Sequence, residues 1–257
     1  MPQRSSPLKE VPLRVAGQSL QTEIDRINGD EIARFTTYAA AAFGLILYEW
    51  VRWLLNPPPN PWLVTIVGGG VIVFSLRRLV KARQRLRLIE MGRNGERAVA
   101  EALDKLRAKG AAVLHDIVAD GFNIDHVVLA KRGIYAIETK TWTKRPGAEL
   151  SYNGSELLIG GRKPPRNPVA QAVANADWLS RNLKEMTGKR YYVRPVVVFP
   201  GWYVHNPGGA ARAGAWVLNP DQLLPIITDQ PSWLSEDDVR GSLYFLTRYI
   251  RTHPDAA

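Results

Sequence analysis

The stretch Phe122-Asn123-Ile124-Asp125-His126-Val127-Val128-Leu129-Ala130-Lys131-Arg132-Gly133-Ile134-Tyr135-Ala136-Ile137-Glu138-Thr139-Lys140 decides the fold. Phe122 to Leu129 and Gly133 to Thr139 read as two strands, and Lys131-Arg132-Gly133 between them reads as a hairpin connection. With the turn centred on Lys131-Arg132, Asp125 falls opposite Glu138 at the open end of the hairpin. Directly opposed residues share a face of the sheet, and Lys140, two residues past Glu138, shares it too. A loop longer by one residue shifts the register but leaves all three groups at the same end.

Two facing carboxylates repel, and the pair is costly without a cation between them. A divalent ion with oxygen ligands from both acids resolves the conflict. An E-x-K on a strand is by itself common and can be an ordinary solvent-facing pair. Its placement opposite Asp125 is what points to chemistry. The metal would activate a water and polarise a phosphodiester, with Lys140 orienting the water or balancing charge on the phosphate.

Upstream, Gly92-Arg93-Asn94-Gly95-Glu96 opens a helix that runs to about Lys109, with Val99, Leu103 and Leu106 as its apolar stripe. Glu96 lies on that stripe. It either caps its own helix start or, aimed at the core, needs a partner, a metal or a water-filled cleft, where it could add a metal ligand. Downstream, Trp142 to Arg166 is irregular and carries Lys144, Arg145, Arg162, Lys163 and Arg166. It is a solvated loop or a phosphate contact. Asn167-Pro168 starts a helix whose buried stripe is Ala172, Ala176, Leu179 and Leu183, with Gln171 at its edge, able to reach the site. Val193 to Phe199 is a buried strand, and the strand-helix-strand order places it parallel to an earlier one. Trp216 to Leu218 is a short strand. Asn219-Pro220 opens a short helix, and Ser235 caps a last one.

The N-terminal third is different. Residues 1–30 are polar and read as a flexible cytosolic arm. Residues 31–80 hold two apolar runs, Phe35 to Leu55 and Trp62 to Leu76, separated by Asn56-Pro57-Pro58-Pro59-Asn60-Pro61. A span needs about 20 apolar residues, so the pattern reads as a two-helix transmembrane hairpin. The alternative is a buried helical hairpin of a soluble protein. Basic residues flank both runs, with a basic stretch from Arg77 to Arg87, and 81–91 reads as a basic linker to the soluble domain. That asymmetry places both termini in the cytosol, in a multi-pass arrangement suited to a bacterial inner membrane. Gly68-Gly69-Gly70 would permit close helix packing and homo-oligomers. The first run starts too late for a cleavable signal peptide. The soluble domain occupies 92–252.

Lys and Arg number 34 against 24 Asp and Glu, for a formal charge of +10, which favours nucleic acid or anionic lipid as partner. There are no cysteines, and the four histidines are widely spaced, which argues against zinc and for Mg2+ or Mn2+. His126 neighbours Asp125 on the opposite sheet face and is given no chemistry.

The set Gly92 to Glu96, Asn123 to Val128, Gly133 to Lys140 and Asn167 to Gln171 resembles the nuclease-related domain, NERD, a family similar to the PD-(D/E)xK restriction-endonuclease-like superfamily. The resemblance implies an α/β fold with a mixed sheet flanked by helices. It implies Asp125, Glu138 and Lys140 as the catalytic core, with Glu96 and Gln171 as accessory residues. Ile124 stands where the superfamily pattern has proline. Two functions are expected in turn. One is a membrane-anchored, metal-dependent nuclease acting on DNA ahead of RNA, with Glu96, Asp125 and Glu138 as metal ligands. The other is a non-catalytic nucleic-acid-binding or scaffold module on the same fold.

Overall fold

The computed structural model describes residues 13–56, 61–119, 121–144, 147–205 and 214–253. The inner part of the proline turn (57–60), Arg145 and the loop after His205 lie outside the described residues. The chain forms two compact units. Ser19–Met91 is one; the other joins the residues up to Gln18 with those from Gly92 onward.

The second unit is α/β. Strands β1 (Ala112–Ala119), β2 (Phe122–Ala130), β3 (Gly133–Thr139), β6 (Val193–Val198) and β8 (Trp216–Leu218) form a five-stranded sheet in the order β1-β2-β3-β6-β8. The first three are antiparallel, and β6 and β8 run parallel to β3, so the sheet is mixed. The crossover from β3 to β6 contains helix α4 (Pro168–Thr187), as the strand-helix-strand order requires. It also contains β4 (Leu150–Tyr152) and β5 (Leu157–Ile159), which join β7 (Val204–His205) in a small second sheet. The stretch read as irregular between Trp142 and Arg166 is therefore partly a hairpin. Its strands are three residues each, too short for a two-residue period to register.

Helices cover both faces of the main sheet. Val113, Val128 and Ile137 on one face pack with Val99 and Leu103, and with Leu223 of α5 (Pro220–Thr228). Leu114, Val127 and Leu129 on the other pack with Leu179 and Leu183 of α4, and with Leu246 of α6 (Glu236–Thr252). The caps are those the sequence announces. Asn167 accepts from the Val169 amide, and Asn219 with Gln222 and Ser235 with Asp238 form reciprocal capping boxes.

Ser19–Met91 is helical. Helix α1 (Gln18–Arg26) and a π-helical turn (Ile27–Ile32) replace the later part of the expected flexible arm. Ile24 and Ile27 are buried there, giving this polar stretch an apolar anchor. Helix α2 (Ala33–Leu55) touches the first half of α3 (Trp62–Arg107) through Phe35 against Phe74 and Trp50 against Trp62. The Trp50 indole also donates to Thr65 Oγ1 at 3.0 Å. Among the described residues, α3 alone is long and apolar enough to cross a membrane. Glu49, Arg52 and the threonines of α2 dilute its apolar character, so two membrane spans are not supported. Helix α3 runs unbroken through the basic linker and through Gly92 and Gly95, which do not start a new helix.

Candidate active site

The β2–β3 ladder has the register of a two-residue turn, running from Ala130 opposite Gly133 to His126 opposite Ile137. One step further lie Asp125 and Glu138. The Thr139 amide donates to Asp125 Oδ2 at 2.7 Å. Glu138 is buried, its Oε1 accepting from Lys140 Nζ and its Oε2 from Asn175 Nδ2 at 2.9 Å. Asp125, Glu138 and Lys140 are thus brought together at the strand ends, with Thr139 at their centre.

Burial dominates the electrostatics. It lifts the Asp125 carboxyl well above the usual range, and the charges of Glu138 and Glu96 push it further. Burial raises Glu138 as well, against the pull of Lys140 and Asn175. Glu96 is raised to about 7, first by burial and then by Asp116 and Glu138. Glu96 lies within α3 and not at a helix start, buried and close enough to Asp116 and Glu138 to feel their charges.

Asp116 is a further buried acid that sequence reading missed. The β1–β2 register sets His115 opposite His126 and Ile117 opposite Ile124, and Asp116 and Asp125 occupy the unpaired step between them. The Asp116 backbone is left-handed, with φ at 50°. Ile117 and Ile124 pack in the same cluster as Leu114 and Val127, so the in-out alternation slips by one on both strands at this point. Arg14 donates through Nε and Nη2 to Asp116 Oδ2 at 3.0 Å, and Asn123 Nδ2 donates to Oδ1 at 3.1 Å.

Gln171 is exposed on α4. Asn175, one turn along, is the residue that reaches Glu138. Gly95 has its own reason in the structure. A Cβ there would lie 2.0 Å from Thr141 Oγ1, so glycine at 95 makes room for the Thr141 side chain.

His115 and His126 occupy the sheet face opposite the acids, ring to ring, with Nδ1 to Nδ1 at 2.8 Å. Burial and then the Arg107 charge lower His115 to about 4. Burial and then His115 lower His126 as well.

The donor set for a cation is all oxygen, and acids that raise one another's pKa are those a divalent ion would relieve. In chemistry these residues fit Mg2+ or Mn2+. Among the described residues, however, no three acidic or histidine side chains are gathered closely enough to hold an ion as they stand. Lys140 supplies the positive charge at Glu138.

Comparison with known proteins bears on the same region. The family model of the nuclease-related domain, NERD, matches residues 91–200, which contain Glu96, Asp125, Glu138, Lys140 and Asn175. An uncharacterized protein of Bacillus anthracis is 38% identical over 88 residues, covering 31% of this chain and 41% of its own length. The chain thus spans less than half of that relative. No solved structure matches.

Proposed function

We propose that the domain from Gly92 onward is a metal-dependent nuclease that hydrolyses phosphodiester bonds, of DNA ahead of RNA, and that Ser19–Met91 tethers it to a lipid bilayer. The observation that carries the reading is the meeting of Asp125, Glu138 and Lys140 at one strand end, inside a nuclease-related domain. Asp125 and Glu138, with Glu96 beside them, would hold Mg2+ or Mn2+. Bound there, the ion would supply Lewis acidity and a water activated at neutral pH. Lys140, with its ammonium partly exposed, orients the attacking water or balances charge on the phosphate. Asn175 holds the Glu138 carboxylate in place. Lys144, Arg162, Lys163 and Arg166 follow on the chain as phosphate contacts.

The tether rests on exposed apolar side chains. Leu54, Leu63 and Ile66 are each at least 70% exposed on α2 and α3, which water does not tolerate in so dense a patch. Arg77, Arg78, Lys81, Arg83 and Arg87 are exposed immediately after the apolar part of α3 and suit anionic headgroups.

The test is cleavage of labelled plasmid and linear DNA by the full chain in detergent, with Mg2+, Mn2+ or EDTA, beside Asp125→Asn and Lys140→Ala. Metal-dependent cleavage lost in both variants supports the nuclease. Metal and DNA binding without cleavage favours the second reading, a non-catalytic binding module. The internal Lys140–Glu138 pair and the ungathered acids speak for that second reading. Flotation with anionic vesicles tests the tether, and a Val71→Arg variant that still floats removes α3 as its anchor.

A further inference from the structure

Two histidines lie buried behind the acids, and every ring nitrogen has a partner. Arg107 Nη2 stands 3.0 Å from His115 Nε2. His115 Nδ1 stands 2.8 Å from His126 Nδ1, and His126 Nε2 stands 3.3 Å from Thr139 Oγ1. His126 is fully buried, and His115 and Thr139 are nearly so. Their neighbours on that face, Val113, Val128 and Ile137, are apolar, so an apolar pair would pack there at less desolvation cost.

The direction of the chain follows from its first member. A guanidinium has donors and no acceptor, so His115 Nε2 must accept. A neutral His115 then carries its proton on Nδ1 and donates it to His126. His126 Nδ1 in turn accepts, so its proton sits on Nε2 and points at Thr139 Oγ1. No other arrangement of protons on two neutral rings satisfies all three contacts. The chain ends on the residue between Glu138 and Lys140, whose amide donates to Asp125 at 2.7 Å.

We infer that His126, oriented by His115 and Arg107, is a positioning residue that fixes the Thr139 side chain and, through the Thr139 amide, the carboxylate of Asp125. A single donor aimed from behind selects one rotamer of Thr139, whose backbone lies past the β2–β3 ladder and pairs with Val198 of β6. The catalytic consequence rests on the nuclease reading above. The direction of the chain does not.

The experiment uses the full chain in detergent with 15N-labelled histidine, at neutral pH. Side-chain nitrogen shifts should show His115 protonated on Nδ1 and His126 on Nε2. Thr139→Val, which keeps the shape and removes the acceptor, should move the His126 Nε2 resonance, and Thr139→Ser should restore it. In cleavage assays Thr139→Val should lower kcat about tenfold with KM unchanged, and Thr139→Ser should recover most of it. The opposite tautomers, or His126 shifts indifferent to Thr139→Val, overturn the inference. So does an unchanged kcat in an active Thr139→Val. Wild type that carries the expected tautomers and responds to Thr139→Val, yet never cleaves, leaves the positioning chain standing and removes the nuclease reading instead.

Discussion

Asn175 Nδ2 donates to Glu138 Oε2 at 2.9 Å, linking the middle of α4 to the end of β3 across the crossover that joins them. Both partners are buried, so the bond meets no competition from water. A hydrogen bond to a charged group contributes about 1.5–3 kcal/mol, and its loss here frees the Glu138 carboxylate to turn. Asn175→Ala should therefore lower kcat by about one to two orders of magnitude. Gln171→Ala, on the exposed side of the same helix, should stay within about threefold. Steady-state cleavage rates compare the two, and equal losses would return Gln171 to the site.

The acid cluster makes stability depend on pH in a set direction. Glu96 holds its proton in the fold up to about 7, whereas the unfolded chain releases it near 4.5. Its contribution is full below 4.5 and is lost as pH rises to about 7. Asp125 acts with the same sign. His115, lowered from 6.5 to about 4, acts oppositely and removes stability as pH falls through that interval. At pH 7.5 only the acids' penalty remains. Glu96→Gln should then be more stable than wild type, by up to about 3 kcal/mol for a shift of this size. Millimolar Mg2+ should narrow the gap by stabilising wild type. Thermal melts at pH 5 and 7.5, with and without Mg2+, measure this, and a wild type at least as stable as the variant at pH 7.5 would overturn it.

Arg14 comes from the N-terminal segment and meets Asp116 deep in the domain, the carboxylate side chain being only 4% exposed. Removing the cation of such a pair costs about 3–5 kcal/mol, because the anion stays behind. Arg14→Ala should lose a stability of that order in urea unfolding. A fragment beginning at Arg87 lacks the same guanidinium and should be destabilised alike. If the fragment matches the full chain in stability, the Arg14 contact is dispensable.

Gly95→Ala places a methyl group against Thr141 Oγ1. Relief requires the Thr141 side chain to turn away or its Cβ and α3 to move apart by a few tenths of an ångström. Overpacking of this kind costs about 1–3 kcal/mol. Because Thr141 follows Lys140 directly, cleavage should fall further than the melting temperature suggests. Pairing Gly95→Ala with Thr141→Gly should recover activity, and failure to do so would place the fault elsewhere.

The hairpin was legible in the sequence because one two-residue turn sets the register of both strands, and that places Asp125, Glu138 and Lys140 together. The caps were legible because Asn167, Asn219 and Ser235 act within a few residues of themselves. Asn175 was not, since a helix edge in sequence does not reveal the tilt that selects one turn over the next. Glycines at 92 and 95 looked like punctuation, but Gly95 is small for a tertiary reason, the room it leaves for the Thr141 side chain. Strand β1 went unread, and with it the opposition of His115 to His126. Carrying the β2 register across Gly121 would have paired them. Two histidines facing each other on an otherwise apolar face were the signal available. The arm through Gln18–Ile32 became helix on the strength of contacts that a polar composition conceals.

The left-handed backbone of Asp116 has a consequence for any substitution scan at that position. Ordinarily alanine is the mild replacement and glycine the harsh one. At φ 50° a Cβ is the strained feature, so that order inverts, with glycine and asparagine tolerated better than alanine, and valine worst. Among uncharged replacements the ranking at residue 116 will follow main-chain geometry, and Asp116→Asn is the replacement that isolates the loss of charge.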